Sequence, residues 1–321
     1  MHMILKAGIK WFSSDKTDGG IREFYTLPSG RIVAAIVNQG IWYSDDDGKT
    51  WTQSNKTDDT FDSLCITDTN RVLAGYSDTL WYSDDNGETW SQLTSLPATC
   101  YVMCKTSTGR IIGGFSYTIG IGYSDDNGET WTTLNSIGME IDTICVTATG
   151  RIIACTQGNG SSSSNYHIIY SDDDGETWTA SNITGSGWTG MCVTPTGRII
   201  VCSSSGIWYS DDNGVNWVNA VSNTYYWRGL CVTTTGRIIV CCGYQGRGIW
   251  YSDDNGITWI RVRRGAYHSV YAIPNNKVVI GEDATGILYS EDTYANRLMT
   301  KADVQALIDE CKAYVQLKKQ S

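Results

Sequence analysis

The sequence predicts an all-β chain: a seven-bladed β-propeller of four-stranded blades, closed by its own N-terminal strand, plus a C-terminal α-helix. Three observations predict it. A ten-residue string, WYSDDNGETW at 81–90, recurs with small changes at 42–51, 122–131, 169–178, 208–217 and 250–259, and a weaker copy stands around Ser290. The serines of these strings, Ser44, Ser83, Ser124, Ser171, Ser210, Ser252 and Ser290, are 39, 41, 47, 39, 42 and 38 residues apart. A period near forty with several short strands per unit marks the blades of a propeller. Glycine is frequent at 34, proline rare at 4, and helix formers are sparse until the last twenty residues, which suits many tight turns.

Each unit reads alike. In the fifth, an apolar strand (MCVT, 191–194) meets the turn PTGR (195–198), where Gly197 can take the left-handed conformation of a tight hairpin. The strands RIIVC (198–202) and GIWYS (206–210) follow, then the DDNG turn and a strand ending in tryptophan. Such strands are apolar on both faces, as a sheet sandwiched between two others must be.

Closure is legible too. Box tryptophans precede a cysteine by 14 residues at Trp51–Cys65, Trp90–Cys104, Trp131–Cys145, Trp178–Cys192 and Trp217–Cys231, and Trp11 precedes Tyr25 by the same 14. The seventh unit ends at YSEDTYANRL with no tryptophan strand of its own. Residues 4–12 are therefore expected to complete it by pairing near 286–290, which removes the exposed sheet edge. This gives a propeller over 1–298 and a separate helix over 299–321.

That helix opens on Thr300 and Asp303, a capping-box pair. Its apolar residues Val304, Ile308, Cys311 and Val315 step by 4, 3 and 4, with Leu307 and Tyr314 beside them. The stripe suits docking on the propeller's side, or assembly into a homo-oligomer or a larger particle.

The formal charge of −10 argues against a nucleic-acid partner. The strings hold 19 of the 34 acidic residues, so one strongly negative face is expected. No stretch is long and apolar enough for membrane insertion. The start, MHMILKAGIKWF, carries no secretory signal pattern, so the chain reads as made in the cytoplasm, reaching a virion or cell surface by a non-classical route. The 11 cysteines show no zinc spacing. They fall in repeat columns, one at Cys65, Cys104, Cys145, Cys192 and Cys231, another at Cys155, Cys202 and Cys241, and read as reduced packing residues. No cofactor or metal is expected.

The pattern S-x-D-x-G-x-T-W, filled by Ser83, Asp85, Gly87, Thr89 and Trp90, resembles the Asp-box or BNR repeat. Propellers carrying it include sialidases, sortilin-type receptor domains, photosystem assembly factors, xyloglucan hydrolases and phage or bacterial surface proteins. The resemblance implies that the boxes face away from the ligand site. Physically the box is a hairpin staple, its serine and aspartate accepting from backbone N–H groups in the turn. It lacks the first aspartate and the final glutamate of a calcium loop. Six copies of one catalytic carboxylate pair are equally implausible.

Once this scaffold is set aside, two columns at the start of the inner strands stand out. The first reads Ile21, Phe61, Cys100, Ile141, Trp188, Trp227, Tyr267. It suits either an apolar cover over the blade tops or, at its aromatic members, a stacking surface. The second is polar and does not repeat: Arg22, Asp62, Tyr101, Asp142, Thr189, Arg228, His268. With Tyr226 and Arg247 from the loops, Trp188, Trp227, Arg228, Tyr267, His268 and Arg22 form the candidate ligand-binding set, an aromatic and basic patch suited to sugars. The sialidase arginine triad and its tyrosine–glutamate pair cannot be assembled, and Asp62 with Asp142 is the only carboxylate pair worth testing. No catalytic residue is assigned. The expected function is a non-catalytic propeller binding a glycan or other cell-surface ligand. The alternatives are a structural protein using the propeller for protein contacts and a sialidase-like glycoside hydrolase.

Overall fold

The computed structural model describes residues 11–116, 118–134, 139–157, 167–185, 187–222, 225–243, 247–282 and 286–290. They form seven antiparallel four-stranded sheets. In six of these the strands follow chain order from inner to outer edge: blade 1 over 21–53, blade 2 over 63–95, blade 3 over 100–134, blade 4 over 140–184, blade 5 over 188–222 and blade 6 over 227–263. Blade 7 has inner strands from 267–290, and its outer strand is Trp11–Ser13.

The closing register sets Trp11 opposite Ser290 and Phe12 opposite Tyr289, as the tryptophan spacing predicts. The Phe12 and Tyr289 rings stack at 5.6 Å. Beyond the strand, Ser14 N–H donates to Ile287 O at 3.0 Å and Ile287 N–H to Lys16 O at 2.9 Å. The seven inner strands pack each against the next, and Tyr267–Ile273 meets Ile21–Thr26 to complete the ring. Residues 4–10 of the closing segment and the helix expected over 299–321 lie outside the described residues.

The second strand of each blade explains the apolar runs. Ile32–Ile36, Ile111–Phe115, Ile199–Ser203 and Ile238–Cys242 are buried throughout, because both faces of the sheet are covered. The core is a set of interfaces between neighbouring blades: Val33 and Ile41 of blade 1 pack with Leu64, Val72 and Trp90 of blade 2. The ten described cysteines are free thiols lying in these interfaces. Burial pushes the Cys65 and Cys145 thiols up to about 12. They behave as small apolar residues.

Candidate binding site

Strand direction decides which end of the ring can vary. In each blade the inner strand runs away from one end, and the third strand runs the same way into the Asp-box turn. The boxes therefore sit at the end opposite the start of the inner strands.

At the box end the turn groups bond one another. In blade 2, Ser83 Oγ accepts from Gly87 N–H at 2.8 Å and donates to Asp85 Oδ1 at 2.7 Å. Asp85 Oδ1 accepts from Thr89 N–H at 2.8 Å, and Trp90 Nε1 donates to Gly87 O at 3.0 Å. Gly87 has φ +86°, which a side chain would strain. The other boxes repeat this geometry, with Asn216 replacing threonine in blade 5. Their aspartates are held below the usual carboxylate range by these donors, against burial, which pushes the other way.

A second device joins blades. Arg198 grips Asp211 through Nε and Nη2 at 2.6 and 2.7 Å, lies 4.0 Å over the Tyr209 ring, and donates from Nη1 to Asn255 O of blade 6 at 2.9 Å. Arg31, Arg71, Arg110 and Arg151 repeat this with the blade that follows each. In blade 7 a lysine substitutes, Lys277 reaching Asp47 of blade 1 at 2.6 Å. These ion pairs answer only part of the acidic charge: the six strings carry seventeen carboxylates against six arginines, Lys49 and Lys277, so the box end stays net negative.

At the other end the non-repeating column occupies a β-bulge. Ile21 pairs with Ile36 and Glu23 with Ala35, leaving Arg22 as the extra residue. Tyr101, Asp142, Thr189 and His268 are extra in the same way in blades 3, 4, 5 and 7, and Arg228 falls in the shift between Trp227 and Leu230. A bulge re-aims one side chain and ends regular pairing. The polar column is thus released from packing rules at one position in each of six blades. Asp62 of blade 2 directly precedes its inner strand.

The column before it does the opposite. Trp188, Trp227 and Tyr267 are 2, 1 and 0% exposed, and Ile21, Phe61, Cys100 and Ile141 are buried with them. Trp188 stands edge-on to Trp208 at 5.2 Å, and Trp227 edge-on to Trp250 at 6.0 Å with Tyr225 at 5.6 Å. Tyr267 OH donates to Arg264 O and accepts from Arg263 Nε. Of the eight candidate residues these three floor the site, and their rings are closed to stacking by a ligand. Arg22, Tyr226, Arg228 and Arg247 are exposed and His268 is partly buried.

The exposed set lies on adjoining blades. Arg228 of blade 6, His268 of blade 7 and Arg22 of blade 1 are close enough that both guanidinium groups, after burial, lower the His268 pKa and favour its neutral form. Arg22 Nε is 3.5 Å from Asp62 Oδ1. The Arg228 side chain crosses Gly243, where a Cβ would meet its Nε at 2.7 Å, and Gly243 N–H donates to Tyr226 O. Tyr226 is 52% exposed and held at φ +54°, a strained conformation for a bulky residue, of the kind that clusters at binding sites. Thr189 faces inward instead, and its Oγ1 donates to Trp227 O at 2.6 Å, tying blade 5 to blade 6.

Carboxylates stand on blades 1, 2 and 4. Burial, with Glu140 adding repulsion, pushes Asp142 up to about 7. Burial raises Asp62 while Arg22 lowers it. Sequence reasoning passed over Glu23, the only ionisable member of its column (Glu23, Ser63, Val102, Thr143, Gly190, Gly229, Ser269). Its carboxylate accepts from Leu64 N–H of blade 2 at 2.5 Å. Burial pushes it up to about 8, with Asp62 adding and the Leu64 bond opposing.

A carboxyl raised in the folded state adds stability below its unfolded value near 4.5, and that stability is lost as pH rises through about 8. The native chain should therefore lose on the order of 2–4 kcal/mol between about pH 5 and 9 from this group. Glu23→Gln keeps an acceptor for Leu64 and should flatten that loss, as urea unfolding across this pH range would read.

The comparisons agree with this architecture. The BNR/Asp-box repeat model matches residues 81–92, 123–133 and 169–180. No curated protein is significantly similar in sequence. Among solved structures, a GH74 enzyme of Niastella koreensis aligns with TM-score 0.68 and 19% identity over 87% of this chain and 44% of its own. The chain thus spans under half of that enzyme. YCF48, solved bound to a D1 peptide, aligns with TM-score 0.69 and 19% identity over 90% of this chain and 96% of its own. PorZ, a surface component of the type-IX secretion system of Porphyromonas gingivalis, aligns with TM-score 0.67 and 12% identity over 87% of this chain and 47% of its own. At these identities the likeness shows the fold. The chain is a seven-bladed β-propeller built on BNR/Asp-box repeats.

Proposed function

We propose that this propeller is a non-catalytic binding module that takes a surface glycan at the bulged end of its inner strands, on blades 6, 7 and 1. The observation that supports this most is the bulge column. It is a polar column that does not repeat, and it sets Arg228, His268 and Arg22 on neighbouring blades beside the exposed, strained Tyr226. Concave sites with a few convergent polar groups are how folds hold small ligands. Assembly through residues 299–321, on a virion or cell surface, would multiply weak contacts into avidity.

The test is a glycan array with the intact chain, followed by titration of the strongest ligand. Arg228→Ala is expected to weaken binding by about tenfold or more, the loss of one charge-assisted contact, with the melting temperature unchanged. A blank array from folded protein would turn the reading to protein contacts.

A hydrolase is the second reading, favoured by one observation: Glu23 and Asp142 are both raised into the range where a carboxyl can serve as an acid near neutral pH. Turnover of a glycoside, lost in Glu23→Gln or Asp142→Asn, would establish it.

A further inference from the structure

We infer that the site extends outward along blade 6 and takes a linear acidic glycan, with anionic groups repeated along the chain, rather than a single terminal sugar. This rests on the binding reading above and adds the class of ligand. Two guanidinium groups bracket two aromatic rings on this blade. Arg247 Cζ lies 4.3 Å from the Tyr225 ring, Tyr225 and Trp250 are 6.0 Å apart at 38°, and Arg261 Cζ lies 5.6 Å from the Trp250 ring. Trp250 Nε1 donates to Arg247 O at 2.9 Å, which fixes the loop to the sheet.

The placement is radial. Arg228 is on the innermost strand, Arg247 just before the third strand (Ile249–Ser252), and Arg261 on the fourth (Ile260–Arg263). Three strand spacings of about 4.8 Å make a track of roughly 14 Å from the axis outward.

The chemistry is selective. Each aromatic ring already has a guanidinium and its neighbouring ring against it. Little ring face remains for a neutral sugar or a nucleobase to stack on. What the stack offers outward is the N–H forks of two planar cations, oriented by the rings beneath them. Such forks match carboxylate or sulfate. The contrast with the other end is sharp. Arg31, Arg71, Arg110, Arg151, Arg198 and Arg237 each hold an aspartate. Arg228, Arg247, Arg261 and Arg264 are exposed and form no ion pair among the described residues. A chain of net charge −10 that leaves four arginines unanswered in one sector presents them to an anion from outside.

The experiment titrates the full chain with galacturonic-acid oligomers from the monomer upward, with sulfated and with neutral dextran fragments of matched length, and with a single-stranded oligonucleotide. Affinity for the acidic oligomers should rise by about tenfold or more with length until the blade is covered, then level off, and should fall with salt. Arg247→Gln with Arg261→Gln, both exposed positions, should remove the length-dependent gain. A response to sulfated but not carboxylated oligomers keeps the inference and names the anion. Glycan binding that needs Arg228 but ignores charge, length and the double variant overturns the inference and leaves the binding reading standing. No glycan binding at all overturns both, and equal arginine-dependent binding of the oligonucleotide overturns the glycan class.

Discussion

Deleting residues 1–13 is expected to cost this protein its cooperative fold. The strand Trp11–Ser13 is the only partner of the outer edge of Gly286–Ser290 among the described residues, and Trp11 packs on the cluster that includes Tyr251, Ile280 and Leu288. Losing a packed tryptophan alone costs about 3–5 kcal/mol, and each ladder bond about 1 more. The sum approaches the whole net stability of a domain, about 5–15 kcal/mol. Removal would also bare the edge of Gly286–Ser290, a template for pairing with other chains. Thermal unfolding followed by circular dichroism should show a broad transition at much lower temperature, with soluble aggregates on size exclusion. A sharp transition near that of the intact chain would mean that the ring closes by other means.

The second large effect is at Trp227. Its side chain is fully enclosed at the junction of Tyr225, Trp250 and the core of blades 5 and 6. Trp227→Ala should destabilise by about 3–5 kcal/mol, lowering the midpoint by on the order of 10 °C. Any loss of binding in that variant would follow from a collapsed floor, so the variant reports on stability and not on contact. Urea unfolding checks it directly, and a change under about 1 kcal/mol would show that the indole is not the floor of the site.

Much of the fold is legible in the sequence because packing in a repeat is periodic. The forty-residue spacing, the box pattern and the 14-residue offset of Trp11 from Tyr25 are consequences of one interface used seven times. They lead to the blade number and the closing register. What the spacing does not encode is orientation at a break in the pattern. Trp188 and Trp227 sit in a column that could cover the blade or face a ligand. The choice is made by Trp208, Trp250 and Tyr225, which close over them from other strands. The bulge that turns Arg22, Arg228 and His268 out is likewise a backbone event with no residue signature, visible only as the place where the column loses its sameness. The ion pairing of the acidic boxes is hidden for another reason: Arg31, Arg71, Arg110, Arg151 and Arg198 each reach the box that follows their own, some sixty residues along the chain, as Arg31 reaches Glu88 and Arg198 reaches Asn255. Glu23 is visible as the one charge in a column of small residues, but its bond to Leu64 across the blade interface is not.

In the reading we propose, two adjacent residues divide the work, Trp227 holding the blade together and Arg228 meeting the ligand. Melting temperature and ligand affinity would be measured together for Trp227→Ala and Arg228→Ala, at a temperature where both are folded. A crossed result is expected. Trp227→Ala melts on the order of 10 °C lower, whereas Arg228→Ala melts with the parent and binds about tenfold or more weakly. If Arg228→Ala binds as tightly as the parent, or falls in stability as far as Trp227→Ala, the bulged end is not the binding face and the division of labour between the two ends of the ring is wrong.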